Sequence, residues 1–195
     1  MLGSNDDQAS ETCIRGQRVL GVLAGTYLAS KETSAQDQTF VDLFLAGQAI
    51  FTNLVPYKNG QAYYPAPLFL NQLKKTKKIV NTQFSYTGDA NEEYDPSNGN
   101  QPKKLKGKYV FFDDKNRADI AEVEQTMIYH HSHYKKNADG VEGILYTQSA
   151  VQENQCYTGQ VYVKEQYASV VKDLLEKSEF CFGRSRSAQN GKCVL

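Results

Sequence analysis

Two long stretches of this chain carry the three- and four-residue apolar spacing of a helix, and they stand near its opposite ends. In residues 16 to 30, Val19, Leu20, Leu23, Tyr27 and Leu28 recur on one face. In residues 164 to 177, Tyr167, Val170, Val171, Leu174 and Leu175 do the same. Between and after them come short apolar runs broken by turn residues. The order is helix, strands, helix, glycine-rich loop, strand. That order predicts an α+β fold, a ferredoxin-like (RRM-like) β-α-β-β-α-β unit whose first strand is short or missing. Gly21 and Gly25, one turn apart, are expected to let the first helix lie close against a sheet, at some cost in helix propensity.

The rest of the chain reads from its turns. A short helical stretch is predicted for 39 to 46 and a strand for 48 to 55, after which Lys58-Asn59-Gly60 supplies the turn that suits a tight hairpin. Pro65-Ala66-Pro67 forces extended backbone. Residues 88 to 102 form a polar Gly/Pro/Asn-rich loop. Strands are expected at 108–112, 122–131, 142–147, 156–163, 180–182 and 192–195, with a turn at 137–140.

At 195 residues, 40% hydrophobic and 23% charged, the chain is expected to form one domain, residues 1–195, with the polar loop near 88–102 as an insertion. Its longest apolar runs are too short to cross a bilayer, and residues 1 to 7 do not read as a signal peptide. A cytoplasmic protein is expected. Four cysteines without a C-x-x-C pair read as buried reduced thiols, so no cofactor and no metal is expected.

With 22 basic and 22 acidic side chains, net charge does not announce nucleic acid. The distribution says more. Acids gather at Asp6, Asp7 and Glu11 and at Asp89, Glu92, Glu93 and Asp95. Bases gather at Lys74, Lys75, Lys77 and Lys78, at Lys103, Lys104, Lys106 and Lys108, and at Arg184, Arg186 and Lys192. Bases converging on one face bind phosphate even in a neutral protein, although a single lysine run is most simply a solvated surface.

The segment 183–192, GRSRSAQNGK, is the most informative. Gly183 and Gly191 permit close approach of main-chain amides, and Arg184, Ser185, Arg186 and Ser187 offer forked cationic donors and hydroxyls that match phosphate oxygens. No nucleophile stands beside a base, so the expected chemistry is gripping. His130, His131 and His133 are the candidates for acid–base chemistry, with His131 and His133 on one strand face. Their plainer reading is structural or RNA-contacting. Asp113-Asp114 reads as a solvated turn before it reads as a magnesium site. Tyr63, Tyr64, Pro65 and Pro67 before the lysines either stack a base or belong to a core strand.

These pieces, in this order, resemble CRISPR-associated RAMP proteins. Residues 12–28, TCIRGQRVLGVLAGTYL, are similar to the family's I-P-G-S-x-L-R-G-x-L-A helix start, with Arg15 where proline is usual and Gln17 where serine is usual. Residues 54–78 resemble the P…P-x-P-L-S…K stretch of the type III-D member, the Csx-ten subunit. Residues 129–161 resemble its H-H…G…L-Y-T…F-x-G-x-I segment, and 183–191 the G-R-S-R-S…G loop. The resemblance spans nearly the whole chain, without the family's opening strand or its second RAMP-like half. It implies a Cas-five-like role. The chain would hold guide RNA, at its 5′ end, next to the large Cas-ten subunit and the backbone RAMP proteins of an antiviral effector complex, without being an enzyme or meeting a membrane. The implied RNA contacts are Arg15, Arg18, Lys74, Lys75, Lys77, Lys78, His131, His133, Gly183, Arg184, Ser185, Arg186, Ser187, Gly191 and Lys192. The alternatives are a guide-processing endoribonuclease of the Cas-six type using His131 or His133, and a purely structural scaffold subunit.

Overall fold

A computed structural model describes residues 11–31, 35–82, 86–87, 99–132, 144–176, 179–182 and 191–194. In chain order the elements begin with α1 (Gly16–Lys31), α2 (Gln38–Phe40), a π-helical turn (Val41–Leu45) and β1 (Ala49–Phe51). There follow β2 (Val55–Lys58), β3 (Gln61–Ala62), β4 (Tyr64–Pro65), β5 (Leu70–Leu73), β6 (Ile79–Asn81), β7 (Tyr86–Thr87) and β8 (Pro102–Lys104). Next are β9 (Tyr109–Phe112), β10 (Ala118–Ala121), β11 (Gln125–Ser132), β12 (Ile144–Val151) and β13 (Cys156–Thr158). The chain closes with β14 (Val161–Val163), α3 (Glu165–Leu175), β15 (Glu179–Cys181) and β16 (Lys192–Val194). The architecture is mixed α+β with several small antiparallel sheets. Two compact units are present, one of residues 13–55 and 158–195, the other of 1–12 and 56–157.

The first unit is built on its helices. Val19, Leu23 and Tyr27 are the buried stripe of α1, at intervals of four. The first turn is capped from a distance, because the Gly16 amide donates to Asn53 Oδ1 at 2.9 Å. Asp37 caps α2 by accepting from the Phe40 amide, and it also accepts the Tyr27 hydroxyl at 2.9 Å. The π-helical turn that follows directs Leu43 and Phe44 inward beside Phe40. β1 pairs antiparallel with β14, Ala49 facing Val163 and Phe51 facing Val161, while Ile50 and Tyr162 form the outward pair. Val171 and Leu174 of α3 and Phe180 of β15 complete one core with α1 and the 40–51 segment. Residues 56–157 therefore enter the chain between two strands that pair with each other.

Gly21 and Gly25 do not serve close packing. A Cβ built at either meets nothing within 4 Å. The close approach is at Gly16, where a Cβ would stand 2.0 Å from the Phe51 carbonyl oxygen. The 48–55 strand is also shorter than its sequence indicates, stopping at Phe51, and the 156–163 strand breaks at Gly159, where a Cβ would meet the Leu54 side chain at 2.5 Å.

The second unit is all strand among the described residues. β2 and β3 close through Asn59 and Gly60, both at positive φ, as the Asn-Gly pair predicts. β10, β9 and β4 form one sheet, with Pro65 on its edge strand, where a missing amide is harmless. β7, β6, β5 and β8 form another. Leu70, Ile79, Leu105 and Val110 pack together with Ala66, Ala118 and Ile120 against them. β11 and β12 pair over eight residues each, from Gln125 opposite Val151 to Ser132 opposite Ile144. The expected 122–131 strand is β11, which begins at Gln125 and runs to Ser132, while Ala118–Ala121 before it forms a separate strand paired with β9. The predicted turn at 137–140 lies outside the described residues.

Candidate nucleic-acid interface

The predicted contacts divide between the two units. Arg15, Arg18, Gly191 and Lys192 belong to the first, and Lys74, Lys75, Lys77, Lys78 and His131 to the second. Arg15 and Arg18 are exposed at the start of α1, where the Arg15 carbonyl accepts the Arg18 amide at 2.9 Å. His131 lies on β11 opposite Leu145. His133, Gly183, Arg184, Ser185, Arg186 and Ser187 lie outside the described residues, as do residues 88–98 of the polar loop.

The ends of the basic loop are described. β15 and β16 pair antiparallel, and the pairing continues one step further through the Phe182 amide, which donates to the Gly191 carbonyl at 2.7 Å. Gly191 has φ +87°, and a Cβ there would stand 1.6 Å from the Phe182 carbonyl oxygen. Only glycine fits. Lys192 is already engaged, its Nζ 2.7 Å from Glu179 Oε1, and this partner raises the lysine pKa. On β16, Cys193 is half-buried, and burial first, then neighbouring Cys181, pushes its thiol pKa up. Cys156 is exposed, unlike the buried thiol expected of it.

In the second unit, β5 and β6 are joined by a turn that carries Lys74, Lys75, Lys77 and Lys78. The turn closes by bonds from the Leu73 amide to the Lys78 carbonyl and from the Lys77 amide to the Leu73 carbonyl, with Lys77 at φ +62°. Asn100, 8% exposed and two residues before β8, holds the turn. Its Oδ1 accepts the Lys75 amide at 3.0 Å and its Nδ2 donates to Thr76 Oγ1 at 3.1 Å. Pairing of β5 with β8 sets Gln72 opposite Lys103 and Asn71 opposite Lys104. Two lysine runs far apart in sequence are therefore neighbours on one sheet. The sequence alone does not show this, because nothing in it marks β5, β6 or β8 as strands and Pro102 reads as part of the polar loop.

Two aromatic and acidic candidates resolve into structure. Tyr63 is 2% exposed and donates to Asp119 Oδ2 at 2.6 Å, whereas Tyr64 is exposed. Asp113 staples a turn, accepting the Lys115 and Arg117 amides and the Arg117 guanidinium, and these bonds, led by the Arg117 amide, hold its carboxyl below the usual range. The hydrogen bond to Asp119, then burial, pushes Tyr63 up to about 12 from 10.0. A raised tyrosine pKa favours the neutral folded state, so its contribution is complete below pH 10.0 and fades as pH rises toward about 12. Tyr63→Phe is expected to narrow the loss of urea midpoint between about pH 9 and about pH 11, a gap unchanged from wild type counting against this bond.

A shallow groove of the first unit, lined by Tyr27, Ser30, Lys31, Val170, Asp173 and Leu174, holds about 200 Å³. Ligand pockets usually hold about 300–1,000 Å³. The chain matches no protein-family model and no curated protein.

Proposed function

We propose that the chain is an RNA-binding RAMP subunit of a type III CRISPR effector complex, which holds guide RNA at its 5′ end next to the large Cas-ten subunit and does not cut it. The finer fold reading is that the first unit is a ferredoxin-like domain without its opening strand. The order α1, β1, β14, α3, β15 supports it, with residues 56–157 as an insertion in the central hairpin. The observation that carries the functional reading is Gly191. A basic serine-arginine segment is closed at its base by a position that tolerates only glycine, as a loop that brings main-chain amides close to phosphate requires.

The test is binding of a labelled guide RNA by the full chain and by Arg184→Ala with Arg186→Ala. If each arginine makes one phosphate contact, affinity at about 0.1 M salt falls by roughly 25-fold, because each contact on a single strand adds about 0.7 to the log–log salt slope. Binding that ignores both substitutions and salt would sink the proposal. Metal-free incubation with precursor RNA is the second arm. Specific cuts that vanish on His131→Ala or His133→Ala would replace this reading with a Cas-six-type endoribonuclease.

A further inference from the structure

Lys103 and Lys104 lie outside every contact that the family resemblance implies, yet the sheet delivers them to the 74–78 turn. Because the Lys74 amide donates to the Gln101 carbonyl at 3.0 Å, the chain from 101 to 104 runs back along β5 from the turn. At about 3.3 Å per residue, the strip from Asn100 to Lys104 is roughly 13 Å long. Lys74, Lys75, Lys77, Lys103 and Lys104 are all exposed along it. Lys74 Nζ donates to Gln101 Oε1, which leaves its charge uncompensated. Among the described residues, Lys75, Lys77, Lys103 and Lys104 enter no ion pair, in contrast to Lys108 with Glu122, Arg117 with Asp113, Lys172 with Glu176 and Lys192 with Glu179. Lys58, Lys106 and Lys115 of the same unit are exposed without an ion pair among the described residues too, so what sets the strip apart is that its five lysines stand together on one sheet edge.

We propose that this edge of the β7-β6-β5-β8 sheet is a second RNA-backbone grip, separate from the glycine-rich loop, in which Lys103 and Lys104 act with Lys74, Lys75 and Lys77. It rests on the RNA-binding reading above and extends it to the inserted unit. Charge complementarity selects the occupant. Lysines on both faces of an edge strand, with Pro102 at its start, guard that edge against an added strand, so an acidic peptide pairing along β8 is disfavoured. A flexible single strand with one phosphate per nucleotide can follow the edge and neutralise lysines on both faces without needing its amides. Asn100 and the buried Asn71, which donates to Thr82 Oγ1 at 2.8 Å, fix the turn and strand in advance of binding.

The experiment measures affinity of the full chain for a fluorescein-labelled single-stranded RNA across a salt series. Lys103→Gln with Lys104→Gln is expected to weaken binding roughly 25-fold at about 0.1 M salt and to lower the slope of log affinity against log salt by about 1.4. Lys103→Arg with Lys104→Arg should restore both, which separates charge from folding. Lys115→Gln, in an exposed turn of the same unit, should change neither. Wild-type chain that binds no RNA would end the RNA reading and this inference together. Wild-type binding that responds to Arg184→Ala and Arg186→Ala but not to the glutamine pair would overturn this inference alone. Polyglutamate that displaces RNA as well as polyuridylate does at equal charge would also overturn it, in favour of an acidic protein partner.

Discussion

An alanine at position 191 is expected to open the β15–β16 hairpin and to abolish tight RNA binding with it. Two costs add at that residue. The backbone stands at φ +87°, where a side chain costs roughly 1–2 kcal/mol. The new methyl would also stand 1.6 Å from the Phe182 carbonyl oxygen, which no rotamer change relieves because the obstacle is backbone. The strands must separate, breaking the bond from the Phe182 amide to the Gly191 carbonyl. Hydrogen exchange at the Phe182 amide reads this directly, with protection expected to vanish. Gly107→Ala is the matched control, since Gly107 has φ +73° but a Cβ there meets nothing within 4 Å. It should show the torsional cost without local opening. Equal behaviour of the two variants would mean that the loop base is not the constraint described.

What the residues reveal in advance depends on how local their cause is. The stripes of α1 and α3 and the Asn59-Gly60 turn are local, and the structure has them within a residue or two. Gly191 was legible because a glycine closing a basic segment is itself a short-range signal. β5 was not. Leu70, Asn71 and Leu73 are all buried, so Leu-Asn-Gln-Leu lacks the alternation that marks a half-exposed strand. β8 was hidden by its own chemistry, because Pro102-Lys103-Lys104 is exposed throughout and reads as loop and charge run. The need for glycine at position 16 comes from the Phe51 carbonyl, and the need at 159 from Leu54 and its neighbours, contacts that no local window contains. The candidate site follows the same rule. Each lysine run was visible, but their meeting depends on the register that sets Gln72 opposite Lys103.

The other large effect is expected at Leu43, where alanine should destabilise the first unit by about 3–5 kcal/mol, the upper part of the range for this truncation. Leu43 is fully buried in the π-helical turn, among groups that close poorly around a void. It shares one buried cluster with Phe40 and Phe44, whose rings meet at 5.3 Å, with Tyr27, which meets both at 6.1 and 5.9 Å, and with Phe51, on which Phe44 stacks at 6.4 Å. Rings already packed against one another in that cluster relax poorly into a missing volume, so the cavity term is retained. Tyr27 is tied further by its bond to Asp37, which also caps α2, so a shift of the ring would strain a helix start. Against a total stability of about 5–15 kcal/mol, such a loss removes a large share. Leu43→Met nearly preserves volume and should cost under about 1.5 kcal/mol. Leu45→Ala, two residues away but 66% exposed, should stay within about 0.5 kcal/mol of wild type. Urea denaturation of the three variants makes the comparison, and a Leu43→Ala midpoint near that of Leu45→Ala would contradict the packing. Because Phe180 of β15 belongs to the same core, the loss at Leu43 should also loosen the strand that carries the glycine-closed loop, and weaker RNA binding should accompany it.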